Sequence, residues 1–169
     1  FLALIVMGTI LLSLPIATIQ PISILAAAFT ATSAVTVTGL NVVDTANYTT
    51  FGQLVIAALI QFGGLGFMTF AILVLTSLQG KMGLSGSITA QEALGTHGNQ
   101  IGSTAKAVIK IAFITESLGF LGLTLLLAPL KGLKDAMYEA FFLCISAFNN
   151  AGFALNGNNM TAYVHQPMI

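Results

Sequence analysis

Apolar residues run through this chain in long stretches, and polar residues gather in a few gaps between them. Phe1 to about Ile19 is nearly unbroken apolar, roughly the 20 residues that a membrane-spanning helix needs. Pro15 lies near its end, and Gln20-Pro21 breaks the path, because a residue before proline is pushed out of helical backbone. From Ile22 to about Val35, Ile24, Leu25, Ala28, Phe29 and Thr32 recur at helical spacing. Such a helix measures about 20 Å, short of a hydrocarbon core of about 30 Å. The tail Thr36-Val37-Thr38-Gly39 is polar and β-branched. It predicts a re-entrant helix that stops inside a membrane and turns back; one bent helix continuing from the first is the alternative.

Asn41 to Thr50 is polar and is expected at a membrane surface, where Asn47-Tyr48-Thr49 fits a glycosylation pattern of low specificity. Phe51 to about Gln79 reads as a second spanning helix. Inside it, Gly63, Gly64 and Gly66 each cost roughly 1 kcal/mol of helix propensity relative to Ala. Close packing of another element, or a hinge around a pore hairpin, would account for them. Gly80 to about Ser103 is a polar segment, expected as a loop, with Lys81, Glu92 and His97. Lys106 and Lys110 follow it, which favours a cytoplasmic location. Thr104 to about Ala128 is expected as a third span ending at Pro129. Glu116 falls mid-run, where a charge costs about 2.5 kcal/mol or more. Pairing inside the bundle, protonation, or a place beside an ion path are its open readings. Ala136 to about Phe148 is a second short helix, followed by Asn149-Asn150-Ala151-Gly152 and a polar Asn156-Gly-Asn-Asn159.

The two short helices and their tails are copies of each other. Phe29/Phe142, Ser33/Ser146, Ala34/Ala147 and Gly39/Gly152 coincide, as do Ala27/Ala140. The order is therefore helix, hairpin, helix (residues 1–79), a polar linker (80–103), then helix and hairpin (104–169). Hairpins separated by two spans point the same way, so the repeat is parallel, and a further spanning helix is expected after Ile169.

Composition makes the membrane reading firm. Hydrophobic residues are 56% and charged residues 6%, where a soluble domain carries roughly a quarter charged. There is no Arg, and five Lys balance five acids, so nucleic acid is not an expected partner. One cysteine, Cys144, gives neither an internal disulfide nor a metal cluster. An intramembrane enzyme would need a nucleophile–base pair or a His-Glu-x-x-His motif within a span. Neither histidine lies in one, and Glu116 has no evident catalytic partner.

A cation leaving water needs replacement oxygens, and backbone carbonyls supply them without holding it too tightly. Gly39 and Gly152 stand where a carbonyl-presenting turn needs positive φ. Thr36, Val37 and Thr38 favour extended backbone. The C-terminal ends of the short helices carry partial negative charge, which favours a cation.

Phe29-Thr-Ala-Thr-Ser-Ala-Val-Thr-Val-Thr-Gly39-Leu40, Gln61-Phe-Gly-Gly-Leu-Gly-Phe67 and Ser146-Ala-Phe-Asn-Asn-Ala-Gly152-Phe153 resemble the Trk/Ktr/HKT potassium transporter family, above all its bacterial Ktr membrane subunits. The resemblance implies an all-α, multi-pass protein of the bacterial inner membrane. It further implies four helix–pore-loop–helix repeats around one axis, of which about one and a half are present here. The carbonyls of Val37, Thr38, Gly39, Asn150, Ala151 and Gly152 would line a selectivity filter, with Thr36 and Asn149 at its edge. In plant relatives a serine at the first filter glycine accompanies sodium selectivity, so Gly39 leans toward potassium. The family also implies sodium-stimulated K+ uptake without a cofactor, a homodimer, and a cytosolic nucleotide-binding KtrA-like subunit. A non-conducting structural or truncated subunit with vestigial loops is the alternative.

Overall fold

The computed structural model describes the backbone of residues 1–81 and 90–155, and the side chains of residues 1–71 and 106–155. Among the described residues five α-helices follow in chain order: α1 (Leu2–Leu12), α2 (Ile24–Val35), α3 (Thr50–Lys81), α4 (Ala90–Lys131) and α5 (Leu133–Phe148). A 3-10 turn spans Thr45–Asn47.

The first helix is shorter than expected. It stops at Leu12 rather than near Ile19. Pro15 offers no N–H, and its ring would collide with the Leu11 carbonyl one turn back, so helix cannot continue through it. The segment after α1 instead pairs with the one entering α3: the Ile19 N–H donates to the Asn47 carbonyl and the Thr49 N–H to the Ala17 carbonyl, at 2.9 and 3.0 Å. The Thr49 hydroxyl adds a bond to the Ile16 carbonyl. Helix α2 starts where Ser23 caps it, its hydroxyl accepting the Ala26 N–H at 3.2 Å. At 12 residues it is about 18 Å long.

Two further expectations are corrected. The polar segment expected as a loop is helical from Ala90 onward, α4 starting well before Thr104. Ala90-Gln-Glu-Ala-Leu94 is rich in strong helix formers, which outweigh the glycines that follow. Pro129 does not end α4, which runs on to Lys131. Positioned in the last turn, it removes little helix, and the turn from α4 into α5 comes at Gly132 with φ +83°. The side chains of Lys81, Glu92 and His97 lie outside the described residues, as do residues 82–89 and the Asn156–Asn159 stretch.

Among the described residues, Thr50–Ala71 and Lys106–Lys131 are long and apolar enough to cross a membrane. Helix α4 packs chiefly on α5, α1 on α2, and α3 touches all the others. One core gathers Leu12, Ala27, Ala31, Ala34 and Val35 with Ile56, Leu59 and Ile60 of α3, and reaches Phe142, Ile145, Ala151 and Phe153. Tyr48, almost wholly buried, donates to the Thr30 hydroxyl at 3.0 Å. Burial raises its pKa above the ordinary phenol value, so it stays a donor. A smaller core joins Leu127 of α4 to Ala136, Ala140, Leu143 and Ala154. The outer face of α4, including Phe113, Leu118 and Leu125, is exposed apolar surface.

Candidate functional site

Helices α2 and α5 end in the same backbone figure. Their C-cap residues, Thr36 (φ −88°, ψ 0°) and Asn149 (φ −86°, ψ 0°), are nearly superimposable in conformation. Then Val37 and Asn150 turn left-handed, at φ 58° and 56°, and Gly39 and Gly152 do so again at 74° and 72°. The Val37 N–H reaches the Ala34 carbonyl and the Thr38 N–H the Ser33 carbonyl, at 3.3 and 3.0 Å. Their counterparts are Asn150 to Ala147 at 3.0 Å and Ala151 to Ser146 at 2.7 Å. A left-handed residue closed by this pair of bonds is a Schellman ending. Asn accepts the left-handed region readily. A β-branched Val there costs roughly 1–2 kcal/mol. The extended run expected from Thr36 to Thr38 therefore does not form, because the helix-closing bonds override strand propensity.

Thr38 and Ala151, between the left-handed pairs, keep negative φ. Alternating hand swings neighbouring N–H groups to one side, and the carbonyls of the same planar peptides to the other. The two turns also meet. A Cβ on Gly39 would lie 2.6 Å from the Ala151 carbonyl oxygen and 3.3 Å from the Gly152 Cα, and one on Gly152 would lie 3.5 Å from the Gly39 Cα. Side chains brace each turn: the Thr36 hydroxyl donates to the Thr32 carbonyl (2.7 Å) and the Thr38 hydroxyl to Ser33 Oγ (3.1 Å). In the second copy Ser146 Oγ donates to the Phe153 carbonyl at 2.7 Å. Among the described residues no three His, Cys, Asp or Glu side chains converge as a metal site. The oxygens on offer at the turns are carbonyls, hydroxyls and amides.

The glycine cluster lies beneath both turns. A Cβ on Gly63 would overlap the Val35 carbonyl at the end of α2, 2.8 Å from its carbon. One on Gly64 would overlap the Asn149 side chain, 2.6 Å from Cγ. Gly66 faces only the Phe1 ring, at 3.5 Å. Helix α3 runs through all three without a break, so Gly63 and Gly64 serve close approach.

One turn above the cluster, Gln61 links elements that the sequence does not connect. Its Nε2 donates to Glu116 Oε2 of α4 at 3.0 Å, and its Oε1 accepts from Asn149 Nδ2 at 3.0 Å. Asn149 Nδ2 also donates to the Ile145 carbonyl at 2.9 Å. Glu116 Oε1 is buried without a partner, and a cavity of about 200 Å³ opens beside it, lined by Phe113, Ser117, Phe120, Phe141 and Cys144. Glu116, Asn149 and the glycines stand out in the sequence as candidates, whereas Gln61 stands there only within the glycine motif, with no role assigned to its lone amide inside an apolar run.

Across its full length, residues 1–169, the chain matches the family described as TrkH: Cation transport protein. The chain belongs to the TrkH family. It is 46% identical over its whole length to the Ktr system potassium uptake protein B of Bacillus subtilis (strain 168), and 38% identical to the protein of that name from Vibrio alginolyticus. The potassium/sodium uptake protein NtpJ of Enterococcus hirae is 36% identical over 96% of the chain. This TrkH-family chain spans 38%, 38% and 37% of those three relatives. The expected resemblance is thereby met. With two helices able to cross a bilayer among the described residues, whose regular elements are helical, the chain is a membrane protein of a cation transport family.

Proposed function

We propose that this segment provides two of the pore loops through which a potassium uptake protein selects its ion. The apposition of Gly39 and Gly152 carries the reading: two turns of matched backbone meet at residues with no side chain. Such a meeting leaves room for carbonyls of both turns to face a shared, water-lined space, where irregular backbone is tolerated at membrane depth. In this reading the carbonyls of Val37, Thr38, Gly39, Asn150, Ala151 and Gly152 take the place of water around a dehydrated cation. Thr36 and Asn149, the residues that cap the C-termini of α2 and α5, form the edge. The names of the relatives favour K+ as the cargo, and that of the Enterococcus protein admits Na+.

Two matched loops on one chain imply that further loops close the ring, giving the four-repeat architecture expected from the sequence. Sodium stimulation, a homodimer, a KtrA-like cytosolic partner and residence in the bacterial inner membrane belong to the same proposal. The vestigial-loop alternative gains nothing from the geometry, since both turns keep matched left-handed residues, including the costly Val37. The test is Gly39→Ser in the full-length transporter, measured as Rb+ and Na+ uptake by cells lacking other potassium uptake. A fall in the preference for Rb+ over Na+ is expected; unchanged uptake and preference would refute the filter assignment.

A further inference from the structure

Resting on the pore-loop reading, we propose that Glu116 is a positioning residue that acts through Gln61 to hold the Asn149 carboxamide in one orientation at the start of the second turn. The Ile145 carbonyl can only accept, so the Asn149 amide must present Nδ2 toward it. The second hydrogen of Nδ2 then points to Gln61, which must answer with its oxygen. Gln61 is thereby left presenting Nε2 to α4, where Glu116 Oε2 accepts. The chain of bonds has one direction, set by an acceptor at each end.

The placement of Asn149 leaves it little freedom to respond to a change in this chain. Its Oδ1 lies against Gly64, on the side where any Cβ would overlap it. Its backbone precedes Asn150, the left-handed residue that opens the turn. Loss of the far acceptor lets Gln61 rotate its amide, which presents an N–H to the Asn149 Nδ2. Asn149 must then turn or withdraw, and Asn150 moves with it. Among the described residues the first turn has no such link. Its corresponding residue, Thr36, is held by a local bond to Thr32, so the device adjusts one loop alone.

The full-length transporter carrying Glu116→Gln, Gln61→Leu or both tests this by Rb+ uptake against external Rb+, normalised to protein in the membrane. Glu116→Gln keeps shape but offers Gln61 a donor as readily as an acceptor. Each single variant is expected to raise the apparent KM for Rb+ about threefold to tenfold, the range for the net contribution of one ordinary hydrogen bond. The maximal rate per transporter should change less. The double variant should match the worse single variant within about twofold, because coupled residues are not additive. Multiplying losses, or a fall in maximal rate with KM unchanged, would overturn the proposal. If Glu116→Gln does not accumulate in the membrane, Gln61→Met carries the test, and an unchanged KM there overturns it. Gly39→Ser separates the two levels: a change there with none in the relay variants defeats the relay alone.

Discussion

Replacing Gly63, Gly64 and Gly66 of α3 by alanine in turn separates close packing from a hinge. The common effect is a gain of helix propensity, roughly 1 kcal/mol per substitution. At Gly66 the new methyl meets the Phe1 ring at 3.5 Å, an ordinary contact, so Gly66→Ala is expected to stabilise by about 0.5–1 kcal/mol. At Gly63 the obstacle is backbone: Val35 C and Cα would lie 2.8 and 2.9 Å away. The Val35 carbonyl oxygen is nearer still, so restoring ordinary contact moves the end of α2 by more than about 1 Å. Overpacking of this kind costs about 1–3 kcal/mol, which outweighs the propensity gain. At Gly64 the obstacle is a side chain, but one fixed by bonds to Ile145 and Gln61. Gly64→Ala is therefore expected to lower uptake more than its stability loss accounts for. Thermal unfolding of the purified full-length protein, with Rb+ uptake in parallel, reads all three. Equal impairment by all three alanines would refute the packing argument and restore the hinge.

Two smaller predictions test the walls of the first turn. Val37→Gly is expected to unfold within about 1 kcal/mol of the parent, because relief of a left-handed β-branched residue offsets lost contact and added chain entropy. Val35→Ala, two residues away in regular helix and fully buried, should cost about 2 kcal/mol through the cavity it leaves; a larger loss at Val37 than at Val35 contradicts the strain argument. Tyr48→Phe removes the buried donor to Thr30 and should cost about 1–2 kcal/mol. Adding Thr30→Val should recover most of it in the same unfolding assay, since a buried pair removed together is nearly neutral.

Helical spacing and a terminal glycine were enough to place α2 and α5 in the sequence, because both signals are local. Where boundaries moved, a local rule met a stronger local rule. Pro15 stopped α1 before the apolar run ended, whereas Pro129, in a final turn, stopped nothing. The polar composition of residues 90–103 suggested a loop, yet charge and amide side chains suit a helix. Glu116 and the glycines were visible as oddities of composition, but their partners were not. Gln61 meets residues 55 and 88 positions away, and no periodicity in one sequence encodes that. The left-handed Val37 was also hidden, since its conformation is imposed by helix-closing bonds against its own preference.

The near-identity of φ at the paired positions of the two turns has a consequence for how such a site can change. Where a ring is assembled from identical subunits, every substitution appears at each position of the ring at once. Here both turns lie on one chain, with Val37 in one and Asn150 in the other, and Gln61 bonded to Asn149 beside the second. Each can be altered singly while its counterpart keeps its backbone. Asymmetry can accumulate in small steps, with one turn retuned while the other holds its geometry.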